Sequence, residues 1–237
     1  MTSQKLIVAL DFPSREQALA MARTLSGHVR WVKVGLELFC RTGPEIVSTL
    51  DNLGFKVFLD LKFMDIPHTV QGAVTSACAA GADMLTIHVT GGQAMVQAAL
   101  RGARMAGKKP PLLIGVTVLT SMSSNDLALV AGRSRNLEDT VSSMAHQART
   151  WGLDGIVCSG QEVQRIRQQC PEPFTIVTPG IRLKKDLDSE DDQKRVTTPK
   201  AALRAGSSYL VVGRPITRAT DPVGTIQRYL DTIEEQS

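Results

Sequence analysis

The chain has 237 residues, 43% hydrophobic and 21% charged, which is the profile of an ordinary globular protein with ample material for a core. Its 27 basic and 23 acidic residues are interspersed and leave a formal net charge of only +4, and aromatic content is 4%. A cationic stripe for nucleic acid and a set of aromatic base-stacking platforms are both excluded. No apolar run approaches the roughly 20 residues that span a bilayer. Leu6–Leu10 is too short for a signal segment, and Cys40, Cys78, Cys158 and Cys170 lack zinc-ligand spacing. A cytoplasmic protein with reduced thiols, and with neither nucleic-acid nor membrane partners, is expected.

In chain order, short β-rich runs recur at Leu6–Leu10, Trp31–Gly35, Val57–Leu61, Met84–His88, Leu112–Leu119, Gly155–Cys158, Phe174–Thr178 and Tyr209–Val212. The gaps between them carry helical periodicity. Ser14 with Gln17 reads as a capping box, Pro44 and Pro67 suit first helical positions, and Gly27, Gly54, Gly81, Gly107, Gly152 and Gly206 fall where helices should stop. Eight β-then-α units without a linker or composition break predict one α/β domain over residues 1–237, a (β/α)₈ barrel of the triosephosphate-isomerase type. Its chemistry belongs at the C-terminal ends of the strands.

Those ends are charged. Asp11 follows strand one, Lys33 lies near the end of strand two, and Asp60-Leu61-Lys62 closes strand three. Strand alternation puts Asp60 and Lys62 on one face, with Leu59 and Leu61 toward the helices. Buried charges are expensive unless paired or used, so either a structural ion-pair network or a reactive array occupies the mouth. Asp65, two residues before Pro67, suits a helix cap as well as a reactive role, and Thr69 reads as a surface hydroxyl. His88 reads as a hydrogen-bonded support for the site rather than a base. On the far side, Thr178-Pro179-Gly180-Ile181-Arg182 and Val211-Val212-Gly213-Arg214-Pro215 put an arginine after each of strands seven and eight, where barrels of this kind commonly hold phosphate.

The segment Asp60-Leu61-Lys62-Phe63-Met64-Asp65-Ile66-Pro67-His68-Thr69 resembles the DxKxxDIPxT signature of orotidine 5′-phosphate decarboxylases of bacterial type. The likeness continues through Leu10-Asp11, Val32-Lys33-Val34-Gly35, Gly115-Val116-Thr117-Val118-Leu119-Thr120, Thr178–Arg182 and Gly213-Arg214-Pro215, and so spans essentially the whole chain. Met64 and His68 stand where the family more often has His and Asn; neither position carries the family's chemistry.

The resemblance implies decarboxylation of orotidine 5′-monophosphate to uridine 5′-monophosphate, the last step of de novo UMP synthesis, without cofactor or metal. It assigns Lys62 as proton donor in a charge-alternating array of Lys33, Asp60, Lys62 and the Asp65 of a second subunit. Asp11 and Lys33 would contact the ribose, and Asp65 and Thr69 would reach the ribose across a homodimer interface. Ile66 and Pro179 join the substrate-binding set, Thr120 lies against the pyrimidine, and Arg182, Gln193, Gly213 and Arg214 hold the 5′-phosphate. The charged loop from Leu183 to Thr198 would then be a closing lid. The competing readings are a Mg²⁺-dependent phosphosugar decarboxylase or aldolase sharing DxKxxD, and a non-catalytic barrel that binds a phosphorylated ligand.

Overall fold

The computed structural model describes residues 4–107, 110–132, 136–184 and 195–234. Eight parallel strands close into a barrel in sequence order: β1 (Leu6–Ala9), β2 (Trp31–Gly35), β3 (Lys56–Phe63), β4 (Met84–His88), β5 (Leu112–Val116), β6 (Gly155–Val157), β7 (Thr175–Thr178) and β8 (Tyr209–Val212). Around them run α1 (Arg15–Leu25), α2 (Leu36–Thr42), α3 (Glu45–Asn52), α4 (Pro67–Ala79), α5 (Gly92–Met105), α6 (Ser124–Ala131), α7 (Leu137–Thr150), α8 (Val163–Gln169), α9 (Pro199–Ala205), α10 (Arg214–Thr217) and α11 (Pro222–Glu234). No helix among the described residues is long and apolar enough to cross a membrane.

The strands read as nearly unbroken apolar runs because both faces are covered. One parity, including Leu6, Val8, Val32, Val34, Leu85 and Ile87, packs under the helices. The other parity fills the barrel with Ile7, Ala9, Trp31, Phe58, Met84, Ile114, Val177 and Val211. Trp31 and Tyr209 meet edge to face across this interior, with ring centroids 5.5 Å apart.

Two sequence expectations are refined. The gaps after β2, β5 and β8 each hold two helices rather than one. β5 stops at Val116, three residues short of the apolar run, because the chain turns at Leu119 and Thr120 toward the mouth. Ser14 caps α1 by accepting the Gln17 N–H. Pro67 opens α4, whereas Pro44 is the residue before α3 and not its first turn. All six helix-ending glycines adopt positive φ, from 68° to 108°, which a side chain would resist.

Candidate active site

The mouth is built from the strand ends upward. The parity that points Ile7 and Trp31 into the barrel continues to Asp11 and Lys33. Lys33 Nζ sits 2.9 Å from Asp11 Oδ1 and 3.6 Å from Asp60 Oδ2. Lys62 Nζ lies 2.8 Å from Asp60 Oδ1 on the other side. Asp60 is therefore one carboxylate between two ammonium groups. Gly35 makes room for this: a Cβ there would stand 2.8 Å from Asp11 Oδ1 and 2.9 Å from Lys33 Nζ.

Lys62 reaches Asp60 through an irregular backbone rather than simple alternation. Between β3 and β4 the pairing runs Phe58↔Met84 and Leu59↔Leu85, then resumes at Phe63↔Ile87. The offset falls from 26 to 24, so Asp60, Leu61 and Lys62 together face the single residue Thr86. Lys62 adopts φ 53°, the only positive φ among the described residues other than glycine. That left-handed conformation costs an L-residue about 1–2 kcal/mol, and strain of this kind clusters at reactive positions.

Burial alone would lower the pKa of Lys33, but the Asp60 and Asp11 carboxylates outweigh it and hold the ammonium above its ordinary value. Burial would likewise raise Asp60, yet Lys33 and Lys62, with hydrogen bonds from Lys62 and Thr86, keep the carboxyl below its ordinary value. Both groups are charged at neutral pH, as the alternating array requires. Burial, then the Lys62 ammonium, pulls His88 below the ordinary histidine value, so its imidazole is neutral at pH 7. A neutral ring beside Lys62 adds no second cation.

A cavity of about 270 Å³ opens here, with Asp11, Lys33, Asp60 and Lys62 along one wall. The rest of the rim is formed by Pro179, Gly180 and Arg182 after β7 and by Gly213 and Arg214 after β8, and Phe58, Val157, Val177 and Val211 make the floor. Arg182 is almost fully buried and donates to its neighbour's carbonyl, Ile181 O, at 2.9 Å. By strand order the β7 end with Arg182 lies across the apolar base from Asp60 and Lys62 of β3, whereas Gly213 adjoins Asp11, because β8 pairs with β1.

The remaining expected residues lie elsewhere. Asp65, Ile66 and Thr69 are exposed at the start of α4 and do not line the cavity. Asp65 does not cap α4: its carboxylate accepts the Ile66 N–H at 2.6 Å, and Ile66 holds the cap position. Thr120 is half-buried outside the cavity lining, and its carbonyl accepts from Arg195 Nε at 3.4 Å. Arg195 also pairs with buried Glu162 and donates to Leu119 O, which joins the segments after β5, β6 and β7. Gln193 falls outside the described residues. Sequence reasoning missed Gly180, Thr86 and the Glu162–Arg195 pair. Thr86 had a signal, being a hydroxyl on the inward parity of β4 between Met84 and His88.

A closed barrel with two lysines around a buried aspartate, and arginines across the mouth, defines a class: barrel enzymes whose reactive groups are fixed charges on strand ends. Comparison with known proteins narrows it. The chain belongs to the orotidine 5′-phosphate decarboxylase / HUMPS family, whose model matches residues 4–229. It is 50% identical over 221 residues to the orotidine 5′-phosphate decarboxylase of Nitratidesulfovibrio vulgaris (strain DP4), covering 92% of each chain. It is 47% identical over 232 residues to that of Lawsonia intracellularis, covering 97% of this chain and 99% of the relative. Among solved structures, the orotidine 5′-phosphate decarboxylase of Lactobacillus acidophilus superposes with a TM-score of 0.86 at 35% identity, over 97% of this chain and 99% of the other.

Proposed function

We propose that this chain decarboxylates orotidine 5′-monophosphate to uridine 5′-monophosphate and CO₂ in pyrimidine biosynthesis, with no cofactor. The observation that carries the reading is the Lys33–Asp60–Lys62 array at the cavity wall. When the bond from C6 to the carboxylate carbon breaks, the electron pair stays on C6 in the plane of the ring, where the π system cannot delocalise it. An ammonium fixed beside C6 in a water-poor site stabilises that charge far better than one in water. Lys62 then donates its proton to C6, and the neutral amine regains one from solvent. Asp60 keeps Lys62 ionised and aimed, and Lys33 keeps Asp60 ionised.

The rim after β7 and β8 suits the phosphate. Arg182 and Arg214 supply guanidinium groups and the Gly213 backbone allows close approach, while Pro179 bounds the ring side. Gln193 and Thr120 complete the substrate contacts in this reading, and Asp11 with Lys33 takes the ribose. Binding energy from the phosphate, remote from C6, is available to raise turnover as well as affinity.

The working form in this proposal is a homodimer in the cytoplasm. Asp65 and Thr69 are exposed beside Met64 and Ile66, themselves 57% and 66% exposed, and Leu36 at the neighbouring strand end is 55% exposed. An apolar rim around a carboxylate that does not reach its own cavity fits a site completed by the partner. Four free cysteines, three of them buried, suit a reducing compartment.

The decisive measurement is loss of orotidine 5′-monophosphate absorbance with purified protein in the presence of a chelator. Full turnover is expected, and turnover that requires added Mg²⁺ would hand the chain to the phosphosugar branch of the family. Mixing inactive Lys62→Ala with inactive Asp65→Ala should restore activity, since one site per mixed dimer is intact. No recovery under proven subunit exchange would return Asp65 to its own chain.

A further inference from the structure

We infer that Thr86 is a positioning residue for the reaction, its hydroxyl bridging the backbone of Lys62 and the carboxylate of Asp60 at the β3–β4 bulge. The inference rests on the decarboxylase reading of the site.

Thr86 is fully buried on β4, and its one hydroxyl serves both ends of the bulge. Oγ accepts the Lys62 N–H at 2.9 Å and donates to Asp60 Oδ1 at 3.0 Å. The same Asp60 Oδ1 accepts from Lys62 Nζ at 2.8 Å. The four groups close a ring: Lys62 backbone to Thr86, Thr86 to Asp60, Asp60 to the Lys62 ammonium. Three residues of β3 face Thr86 alone, so the Lys62 N–H is held by a side-chain oxygen where a regular ladder offers a carbonyl. The left-handed φ of Lys62 then has a local cause. A strained conformation persists only where its surroundings over-determine it, and this hydroxyl bonds directly to the strained residue's own N–H. Because the ring has one free rotor, the O–H of Thr86, its direction is set: with the Lys62 N–H occupying a lone pair, the proton points at Asp60.

Thr86 touches no substrate-facing surface of the cavity and acts through Lys62 and Asp60. Losing the hydroxyl leaves a buried N–H without its acceptor and the carboxylate short of one donor, so the ammonium loses its fixed aim. The proposed phosphate contacts, Arg182, Gly213 and Arg214, follow β7 and β8 and make no bond with Thr86.

The test compares Thr86→Val, which keeps shape and removes the hydroxyl, with Thr86→Ser, which keeps the hydroxyl and removes a methyl. Packing alone ranks valine above serine, and the bridge ranks serine above valine. For Thr86→Val, kcat is expected to fall by about 10- to 100-fold, the scale of a hydrogen bond to a charged group, with KM and uridine 5′-monophosphate affinity little changed. Thr86→Ser should keep most of the wild-type kcat. If valine matches wild type, or serine is as slow as valine while folded, the inference is wrong. Should Thr86→Val not fold, the serine variant decides: near-wild-type kcat supports the bridge, and a fall in kcat of about 10-fold or more in the folded serine variant refutes it. Failure of the wild-type protein itself to turn over the nucleotide would count against the proposed function and not against Thr86.

Discussion

Along its β2 edge, β3 pairs in unbroken register from Trp31↔Lys56 to Gly35↔Asp60, whereas along its β4 edge the register breaks after Leu59 and resumes at Phe63. The regular edge sets Lys33 and Asp60 side by side at fixed depth. The broken edge lifts Lys62 out of the ladder and turns it back onto Asp60. One strand therefore supplies two kinds of charge: one held by ordinary sheet geometry, the other by a local distortion that side chains maintain. On the proposed mechanism, precision in aiming the Lys62 amine comes from the distorted edge, and electrostatic steadiness from the regular one.

Breaking the distorted edge should cost most. On the proposed mechanism, Lys62→Ala removes both the proton donor and the cation beside C6. General acid catalysis contributes about 10²–10⁴ and a preorganised charge about 10²–10³, so kcat should fall by more than about 10⁴-fold. Product nucleotide should still bind, as isothermal titration would register. Substantial residual decarboxylation would remove Lys62 from its assigned role.

On the regular edge the damage should be milder. Gly35→Ala puts a methyl within 3 Å of both Asp11 Oδ1 and Lys33 Nζ, and these flexible side-chain ends can give way. A displacement near 1 Å in a positioned group costs about 10²-fold, which sets the ceiling for the loss in kcat/KM. Steady-state kinetics at wild-type level would mean that the Asp11–Lys33 pair does not need its observed geometry.

The smallest effect is on stability, and its pH dependence has a definite sign. Asp60 has a lowered pKa in the folded state, so its contribution is present above the ordinary carboxylate value and fades as pH falls through the lowered one. Lys33 has a raised pKa, so its contribution is complete below the ordinary lysine value and is lost as pH rises through the raised one. The difference in unfolding free energy between wild type and Asp60→Asn, from urea titrations, should stay level between roughly pH 4 and pH 10 and shrink below that window. A difference already shrinking near pH 6 would mean that burial dominates at Asp60. Glu162 runs the opposite way: burial raises its pKa despite Arg195, so its ionisation draws down stability as pH climbs past the ordinary glutamate value. Taking the difference between variants cancels that background.

Much of this was legible in the chain. Apolar runs such as Leu6–Ala9 and Val57–Leu59 announce strands covered on both faces, and the glycines at 27 and 206 mark helix stops by backbone geometry that needs no partner. The charged ends at Asp11, Lys33 and Asp60 follow from parity alone. Lys62 joined them for a different reason from the one parity offers, because a bulge depends on the register of two strands and register is a non-local property. Parity marks Thr86 as an inward hydroxyl, but its bridging place was out of reach for the same cause: nothing near it in sequence says that three residues will face it. The lone Pro44 misled because a proline before a helix and a proline within its first turn look alike in sequence. The Glu162–Arg195 pair was equally invisible, its members being 33 positions apart on different loops.

The side chains filling the barrel interior bear on traffic. With Ile7, Trp31, Phe58, Met84 and Ile114 packed beneath the cavity, the base of the barrel is plugged by solid matter. On the proposed reaction, and among the described residues, the packed interior offers no way through the barrel, which leaves the mouth as the way out for gas and nucleotide alike.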